Sequence, residues 1–180
     1  MRTLASHIDE ALKIGKDISK FSNYSCQPTN RKELLTIIRD RISKEGPDCD
    51  LNDIDTSLVT DMSGLFFNLK FNGNISNWDT SNVKDMSDMF YGVKFNPDIS
   101  NWNVSNVENM CRMFAHSTFN GDISNWDVRK VKNMALMFSR SKFNQDISNW
   151  KLNKDCNTSY IFTDCPIKDE FKPALPRRSR

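Results

Sequence analysis

The chain has 180 residues, which suits one ordinary domain, and its 25 basic and 23 acidic residues leave a net charge of +2. This balance argues against a dedicated nucleic-acid protein or a polybasic membrane protein, because either would carry a marked basic excess. Only 38% of the residues are hydrophobic, yet the 11% aromatic content and the eight Met exclude a disordered chain. The few apolar residues must therefore be organised efficiently.

The first part of the chain, residues 1–46, is predicted to be a helical cap. Amphipathic helical patterns occur at residues 6–21 and 31–43. Asn30, followed three residues later by Glu33, gives the second pattern a helix-start signal. The favoured arrangement places both helices on the end of the array that follows, and the alternative makes the first helix an arm that docks on a partner.

Residues 47–166 contain an internal repeat with a period of 24 residues. Its unit reads F-N-x-x-I-S-N-W-x-x-x-x-V-x-x-M-x-x-M-F followed by four variable residues, with full copies at 71–94, 95–118 and 119–142. A disguised copy precedes these, and a decaying copy follows them. Positions that share a place in successive units form columns, such as Trp78, Trp102, Trp126 and Trp150, or Phe66, Phe90, Phe114, Phe138 and Phe162.

A unit of this length cannot bury its apolar face alone, so successive units are expected to stack as coils. The Val, Met, Met and Phe within Val83–Phe90 have the spacing of a short helix or 3-10 turn, with Ser81 and Ser105 as candidate caps of such elements. The segment Ile99–Trp102 is predicted to be a short strand. Stacking aligns like side chains at roughly 5 Å. We therefore predict an α/β repeat solenoid of about five coils, in which stacked Asn amides satisfy backbone groups at the bends (Asn72, Asn96, Asn120, Asn144 and Asn77, Asn101, Asn125, Asn149).

The unit F-N-x-D-I-S-N-W-D-V-S-N-V-x-x-M-x-x-M-F resembles the repeat of BspA-like leucine-rich repeat proteins over roughly residues 31–166. This family comprises bacterial lipoproteins and surface proteins, and similar arrays occur in large DNA viruses and protists. The resemblance implies a leucine-rich-repeat-like, right-handed stack of 24-residue coils, each with a short strand and a short helix or 3-10 turn. It implies no catalytic residues and no particular ligand.

The start of the chain, residues 1–10, lacks the apolar segment of a secretory signal. No apolar stretch approaches the roughly 18–20 residues of a membrane span. These features predict a cytoplasmic or virion location and make surface exposure, as in the anchored family members, less expected.

The five Cys form no CxxC pair and have no His-rich companion. They are predicted to be reduced thiols, and Cys111 to be a small packing residue, because Ser87 and Ala135 share its column. A pair between Cys156 and Cys165 stays open as an alternative for an exported chain.

The last part of the chain, residues 167–180, is Pro-containing and basic, and it is predicted to be extended and poorly packed. Three of its residues are candidates for contact with an acidic partner surface: Arg177, Arg178 and Arg180. The alternative is a solvated terminus without a partner.

Sequence motifs for chemistry are absent: no P-loop, G-x-S-x-G, H-E-x-x-H or dinucleotide fingerprint occurs. The two His, His7 and His116, stand in unrelated places. The recurring Asp98, Asp122 and Asp146 offer one carboxylate per unit, whereas calcium sites draw several oxygens from one dense loop. We therefore predict no catalytic residue, no cofactor and no metal site.

The predicted function is a non-enzymatic scaffold for protein–protein interaction, most simply an architectural or adaptor subunit of a larger assembly. A cell-surface adhesin and an inhibitor that blocks a host enzyme are the alternatives. The partner is expected to be a protein and not a specific nucleic acid, and self-association through an end of the solenoid is a further prediction. The candidate partner-binding residues are variable positions of the repeat: Lys84, Arg112, His116, Lys132 and Leu136, the last as an exposed apolar residue.

Overall fold

The computed structural model describes residues 2–3 and 24–176. Strand β1, Arg2–Thr3, pairs antiparallel with strand β2, Cys26–Gln27. Helix α1 covers Arg31–Glu45, and a 3-10 helix covers Asp169–Phe171. The helix predicted at residues 6–21 lies outside the described residues.

Helix α1 begins at the predicted start signal. The Asn30 side chain accepts a hydrogen bond from the Glu33 N–H at 3.1 Å, and the Glu33 carboxylate accepts one from the Thr29 N–H at 2.8 Å. The two bonds are reciprocal, as in a capping box, and they satisfy N–H groups that the first turn leaves free. The helix ends at Gly46, whose positive φ of 91° suits glycine and whose N–H donates to the Ile42 carbonyl at 3.0 Å.

The buried face of α1 closes one end of the array. Leu34, Ile37 and Ile38 belong to the same core as Leu51 and Ile54 of the first coil. On the flank of the helix, Arg41 forms an ion pair with Asp53 at 2.9 Å, and the Arg31 guanidinium donates to the Ser63 carbonyl. The described helix therefore has the capping position predicted for it.

Successive 24-residue units lie side by side in parallel. A run of single β-bridges passes through Asp61, Asp85, Asn109, Asn133 and Asn157, each 24 residues after the one before. Each unit between bridges is one coil, and its neighbours in sequence are its neighbours in space. The apolar columns of all coils join one core, and most of their side chains are buried.

A ladder of backbone hydrogen bonds connects the coils along one segment. We call this the turn segment of each coil: residues 62–68, 86–92, 110–116, 134–140 and 158–164. In the second turn segment, the N–H groups of Met86, Asp88, Phe90 and Gly92 each donate at 2.9 Å to a carbonyl in the following coil, 23 residues later. The same alternate positions donate in the first, third and fourth turn segments.

The turn segment is not the helix or 3-10 turn that the spacing of Val and Met predicts. Between these ladder bonds, Met89 donates to the Met86 carbonyl and Tyr91 to the Asp88 carbonyl, at 3.3 and 3.1 Å. Asp88 and Gly92 have positive φ values of 56° and 70°. A positive φ at the third residue marks a type II turn and breaks a right-handed helix. Consecutive turns thus alternate N–H groups between their own coil and the next one.

The predicted strand and the predicted caps are also turns. In Ile99–Trp102, the Trp102 N–H donates to the Ile99 carbonyl at 3.1 Å, which bends the segment instead of extending it. The N–H groups of Ser81 and Ser105 donate to the side chains of Asp79 and Asn103, at 2.9 and 3.1 Å. Each Ser therefore ends an Asx turn, and neither caps a helix.

Stacked rings line the interior as predicted, at wider spacing than the roughly 5 Å expected between strands. The centroids of Phe66 and Phe90 are 5.5 Å apart and those of Trp78 and Trp102 are 6.2 Å apart, with interplanar angles of 6° and 4°. An offset of this size suits parallel aromatic rings. The Trp rings stay 3–4% exposed.

One of the two Asn columns satisfies backbone groups at the bends, as predicted. The side-chain oxygen of Asn96 accepts from the Asn120 N–H, and that of Asn120 accepts from the Asn144 N–H, both at 2.8 Å. The Asn144 side chain accepts from the Lys168 N–H at 3.0 Å. This column therefore continues the ladder to the end of the array.

The prediction of a poorly packed C-terminal tail is wrong for residues 167–173. Ile167 is 4% exposed, and the Phe171 carbonyl accepts from the Ile147 N–H at 3.0 Å. Phe171 packs on the core, and Pro173 is buried. The last coil needs a cover for its apolar edge, and these residues supply it.

The handedness and the leucine-rich-repeat class of the solenoid stay predictions, as do its domain limits. All five Cys are free thiols, and Cys49 and Cys156 are buried. Burial raises the pKa of both thiols. Within residues 2–3 and 24–176, no helix has the length and apolar character to cross a membrane.

Candidate functional site

The candidate site is the outward surface of the turn segments together with the residues at 84, 108 and 132. We call this surface the turn face. It carries the positions that vary between coils, because the Met and Phe of each turn segment point into the core. Since the ladder bonds hold successive turn segments together, side chains 24 residues apart become neighbours.

Opposite charges pair across neighbouring coils on this face. Lys132 lies 2.6 Å from Glu108, and Arg112 lies 2.9 Å from Asp88. The Lys132 bond lowers the pKa of Glu108, and the Asp88 bond raises the pKa of Arg112. Each exposed pair contributes at most about 1 kcal/mol to stability, so their main effect is to hold long side chains in place.

The predicted binding residues occupy this face with different surroundings. Lys84 is exposed, and its backbone carbonyl accepts from the Glu108 N–H at 2.8 Å. His116 is exposed, with a φ of 59°. Leu136 is half-buried, so it is less exposed than predicted, and it also has a φ of 59°. Arg177, Arg178 and Arg180 lie outside the described residues.

An aromatic row on the turn face was not found from the sequence. The rings of Phe67 and Tyr91 stack with centroids 4.7 Å apart, and the ring of His116 lies 5.2 Å from that of Tyr91. Phe67 is 48% exposed, and Tyr160, two coils beyond His116, is 70% exposed. The signal for the row is the 24-residue spacing of Phe67 and Tyr91 within the variable part of the repeat.

A cleft of about 410 Å³ separates α1 from the first two turn segments. Arg31 and Arg39 line its helix side, and Phe67 and Asp88 line its array side. One Asp88 oxygen pairs with Arg112, and the other is buried without a hydrogen-bond partner among the described residues. The cleft extends the turn face towards the N-terminal end.

The recurring Asp column serves the backbone. Asp122 accepts from the Ser124 N–H and Asp146 from the Ser148 N–H, both at 2.9 Å. These bonds lower the pKa of both carboxyl groups. Within the described part of the chain, no cluster of three or more His, Cys, Asp or Glu has the arrangement of a metal site.

A family model described as "Mycoplasma protein of unknown function, DUF285" matches residues 42–139 and 115–172. The chain belongs to this family. The two matches overlap at residues 115–139, as a repeated unit allows, and together they run from the last turns of α1 through the C-terminal 3-10 helix. The DUF285 region therefore includes the whole array and its C-terminal cover. A search of curated proteins and a search of solved structures gave no match.

Proposed function

We propose that this DUF285 protein is a non-catalytic scaffold of the BspA-like leucine-rich-repeat type that binds another protein through its turn face. Its partner is a subunit of a larger assembly, for which the array is an adaptor. The observation that carries the proposal is the division of labour within each coil. The recurring residues are used in ring stacking, apolar packing and inter-coil hydrogen bonds, and the variable residues are left on one continuous surface.

The composition of the turn face supports a protein partner. Exposed aromatic rings are typical of protein interfaces, where they bury large areas at little entropic cost. Phe67 and Tyr91 provide such rings, and Lys84 and Arg39 add positive charge beside them. A surface with both features suits a partner with an apolar patch and an acidic rim.

The ladder makes this surface rigid. Every turn segment from the first to the fourth is bonded to the next one at alternate residues, and charge pairs fix several long side chains between coils. A surface that is ordered before binding loses little conformational entropy in the complex. Affinity can then come from a few contacts of modest size.

The test is crosslinking and affinity purification from the native source, with mass spectrometry of the captured proteins. The turn-face variant is K84E with Tyr91→Ser and His116→Ser. A matched control on another exposed part of the coils is K151E with Asn101→Ser and Asn125→Ser. We expect at least a tenfold loss of one stoichiometric partner with the turn-face variant and none with the control.

Thermal melts of both variants should match the unmodified protein, because all six positions are exposed or half-exposed. Equal capture of the partner by both variants would reject the turn face as the binding surface. Recovery of glycans instead of a protein would favour the adhesin alternative.

A further inference from the structure

The ladder of the turn segments ends with unused donors. In the fourth turn segment, the N–H groups of Met134, Leu136, Phe138 and Arg140 donate to carbonyls of the last coil at 2.8–2.9 Å. The corresponding N–H groups of the last turn segment belong to Thr158, Tyr160, Phe162 and Asp164, and none of them has an acceptor among residues 24–176. We call this row the donor edge. All four residues are exposed or half-exposed, so these N–H groups are within reach of a partner.

The polarity of the donor edge argues against pairing with a second copy. Two donor edges facing each other across a two-fold axis would place N–H groups against N–H groups. Head-to-tail stacking would need the opposite end of the array to present free carbonyls. That end is covered by α1, where Leu34 and Ile38 are buried and the Arg31 side chain occupies the Ser63 carbonyl.

The apolar side of the last coil is already covered. Ile161 is 3% exposed, and the Lys172 ammonium group lies 5.8 Å from the centre of the Phe162 ring. A partner therefore has no apolar columns to extend, and a complete further coil would displace residues 167–173. What the last coil lacks is a row of carbonyl acceptors beside its backbone, and one extended segment can provide that row.

We propose that the donor edge binds an extended segment of a different protein by backbone addition. Carbonyl oxygens at alternate residues of that segment accept the N–H groups of Thr158, Tyr160, Phe162 and Asp164, as carbonyls of the next coil do elsewhere in the array. Tyr160, which is 70% exposed, packs on the bound segment. Unpaired backbone edges are recognised in this way by strand addition. The inference concerns the end of the array, and it holds whether or not the turn face binds a partner.

The test is amide hydrogen exchange of the full chain by NMR, with a synthetic peptide of the sequence 84–94 as the probe. In the protein, carbonyls of this sequence at Asp85, Ser87, Met89 and Tyr91 already accept from the first turn segment. We expect saturating peptide to slow exchange at least about fivefold at residues 158, 160, 162 and 164. Exchange at Ile161 and Thr163 should not change, because their N–H groups already donate within the last coil at 3.3 and 3.2 Å.

Two variants at one position provide the matched comparison. Thr158→Pro removes one donor that has no acceptor in the described structure, and it should weaken peptide binding about fivefold. Thr158→Ala keeps the N–H and should bind as the unmodified chain does. Equal binding by the two variants, or unchanged exchange at the even positions, overturns the proposal.

Two results with the chain alone are equally decisive. Protection of the even positions that grows with protein concentration would identify a second copy as the occupant and would refute a different protein. Full protection in dilute protein would show that the chain covers its own edge, and the proposal would again fail. Neither result bears on the turn face, so the proposed function is tested separately.

Discussion

The indole N–H of Trp102 donates a hydrogen bond of 3.2 Å to the carbonyl oxygen of Ile75, one coil earlier. The other three Trp residues make the same bond to the carbonyl 27 residues before them, at 2.9–3.2 Å. Each Trp therefore holds the preceding coil in two ways, through its ring stack and through its polar atom. Such a bond also leaves no buried indole N–H without an acceptor.

We predict that Trp102→Ala lowers the free energy of unfolding by roughly 3–5 kcal/mol, since it leaves a cavity and an unpaired carbonyl in the core. Trp102→Phe keeps a ring in the stack and should cost less, although it also loses the bond to Ile75. Urea denaturation of both variants measures the difference. A Trp102→Ala protein as stable as the unmodified one would contradict the ladder of rings.

A second prediction uses the backbone of Leu136, whose φ is 59°. Asn tolerates this left-handed conformation, whereas a β-branched residue is strained in it. Leu136→Val should therefore destabilise the protein by about 1–2 kcal/mol, and Leu136→Asn should be at least about 1 kcal/mol more stable than Leu136→Val. The measurement is the midpoint of urea denaturation.

The comparison distinguishes turns from a helix at this position. Val and Asn have similar helix propensities, so a helical turn segment predicts similar stability for the two variants. Gly64 occupies the same column as Leu136 with a φ of 58°, and Leu136→Gly is therefore a control that removes the strain altogether. A Leu136→Gly protein less stable than Leu136→Val would refute the turn assignment.

The columns were predictable because ring and methyl groups recur with a strict period of 24 residues, and only stacking buries all of them. The local backbone was not, because the spacing of Val83, Met86 and Met89 fits a helix and consecutive turns equally well. What decides between them is the direction of alternate N–H groups, which depends on the neighbouring coil. Gly and Asp in the columns of residues 64 and 88 were the available signal for positive φ.

The candidate site was predictable only in part. Lys132 and Arg112 are on the turn face as their variability indicates, but their pairing with Glu108 and Asp88 depends on the register between coils. Phe67 was read as part of a disguised copy, and its exposure follows from the cleft beside α1. Contacts between distant coils and helices are not encoded in the local pattern.

A third prediction concerns the C-terminal cover. A chain that ends at residue 166 loses the buried Ile167 and the bond between the Phe171 carbonyl and the Ile147 N–H. We expect it to be at least about 2 kcal/mol less stable, the usual cost of losing one buried Ile side chain. A chain that ends at residue 173 is the matched control and should unfold within about 0.5 kcal/mol of the full chain. Equal denaturant midpoints for the two truncated chains would show that residues 167–173 do not cover the last coil.

A fourth prediction is an acid limb in the stability of the array, caused by its Asp turns. Hydrogen bonds lower the pKa of Asp122 and Asp146, and the bond from the Arg129 side chain lowers the pKa of Asp127 to about 2. A carboxyl group with a depressed pKa in the folded state stabilises the protein above its unfolded pKa of about 3.9, and this stabilisation is lost as the pH falls towards the folded value. The melting temperature should therefore fall between about pH 4 and pH 2 through these groups.

The chain itself offers the control for this acid limb. Asn74 and Asn103 stand in the same columns as Asp122 and Asp127, and they accept the same kind of N–H bond, each at 3.1 Å, without a titrating group. The triple variant Asp122→Asn, Asp127→Asn and Asp146→Asn should keep its turns and show a smaller fall in melting temperature between pH 4 and pH 2. Melting curves followed by circular dichroism measure both proteins. An identical fall would place the acid sensitivity in other carboxyl groups, because these three would then have the same pKa in the folded and unfolded states.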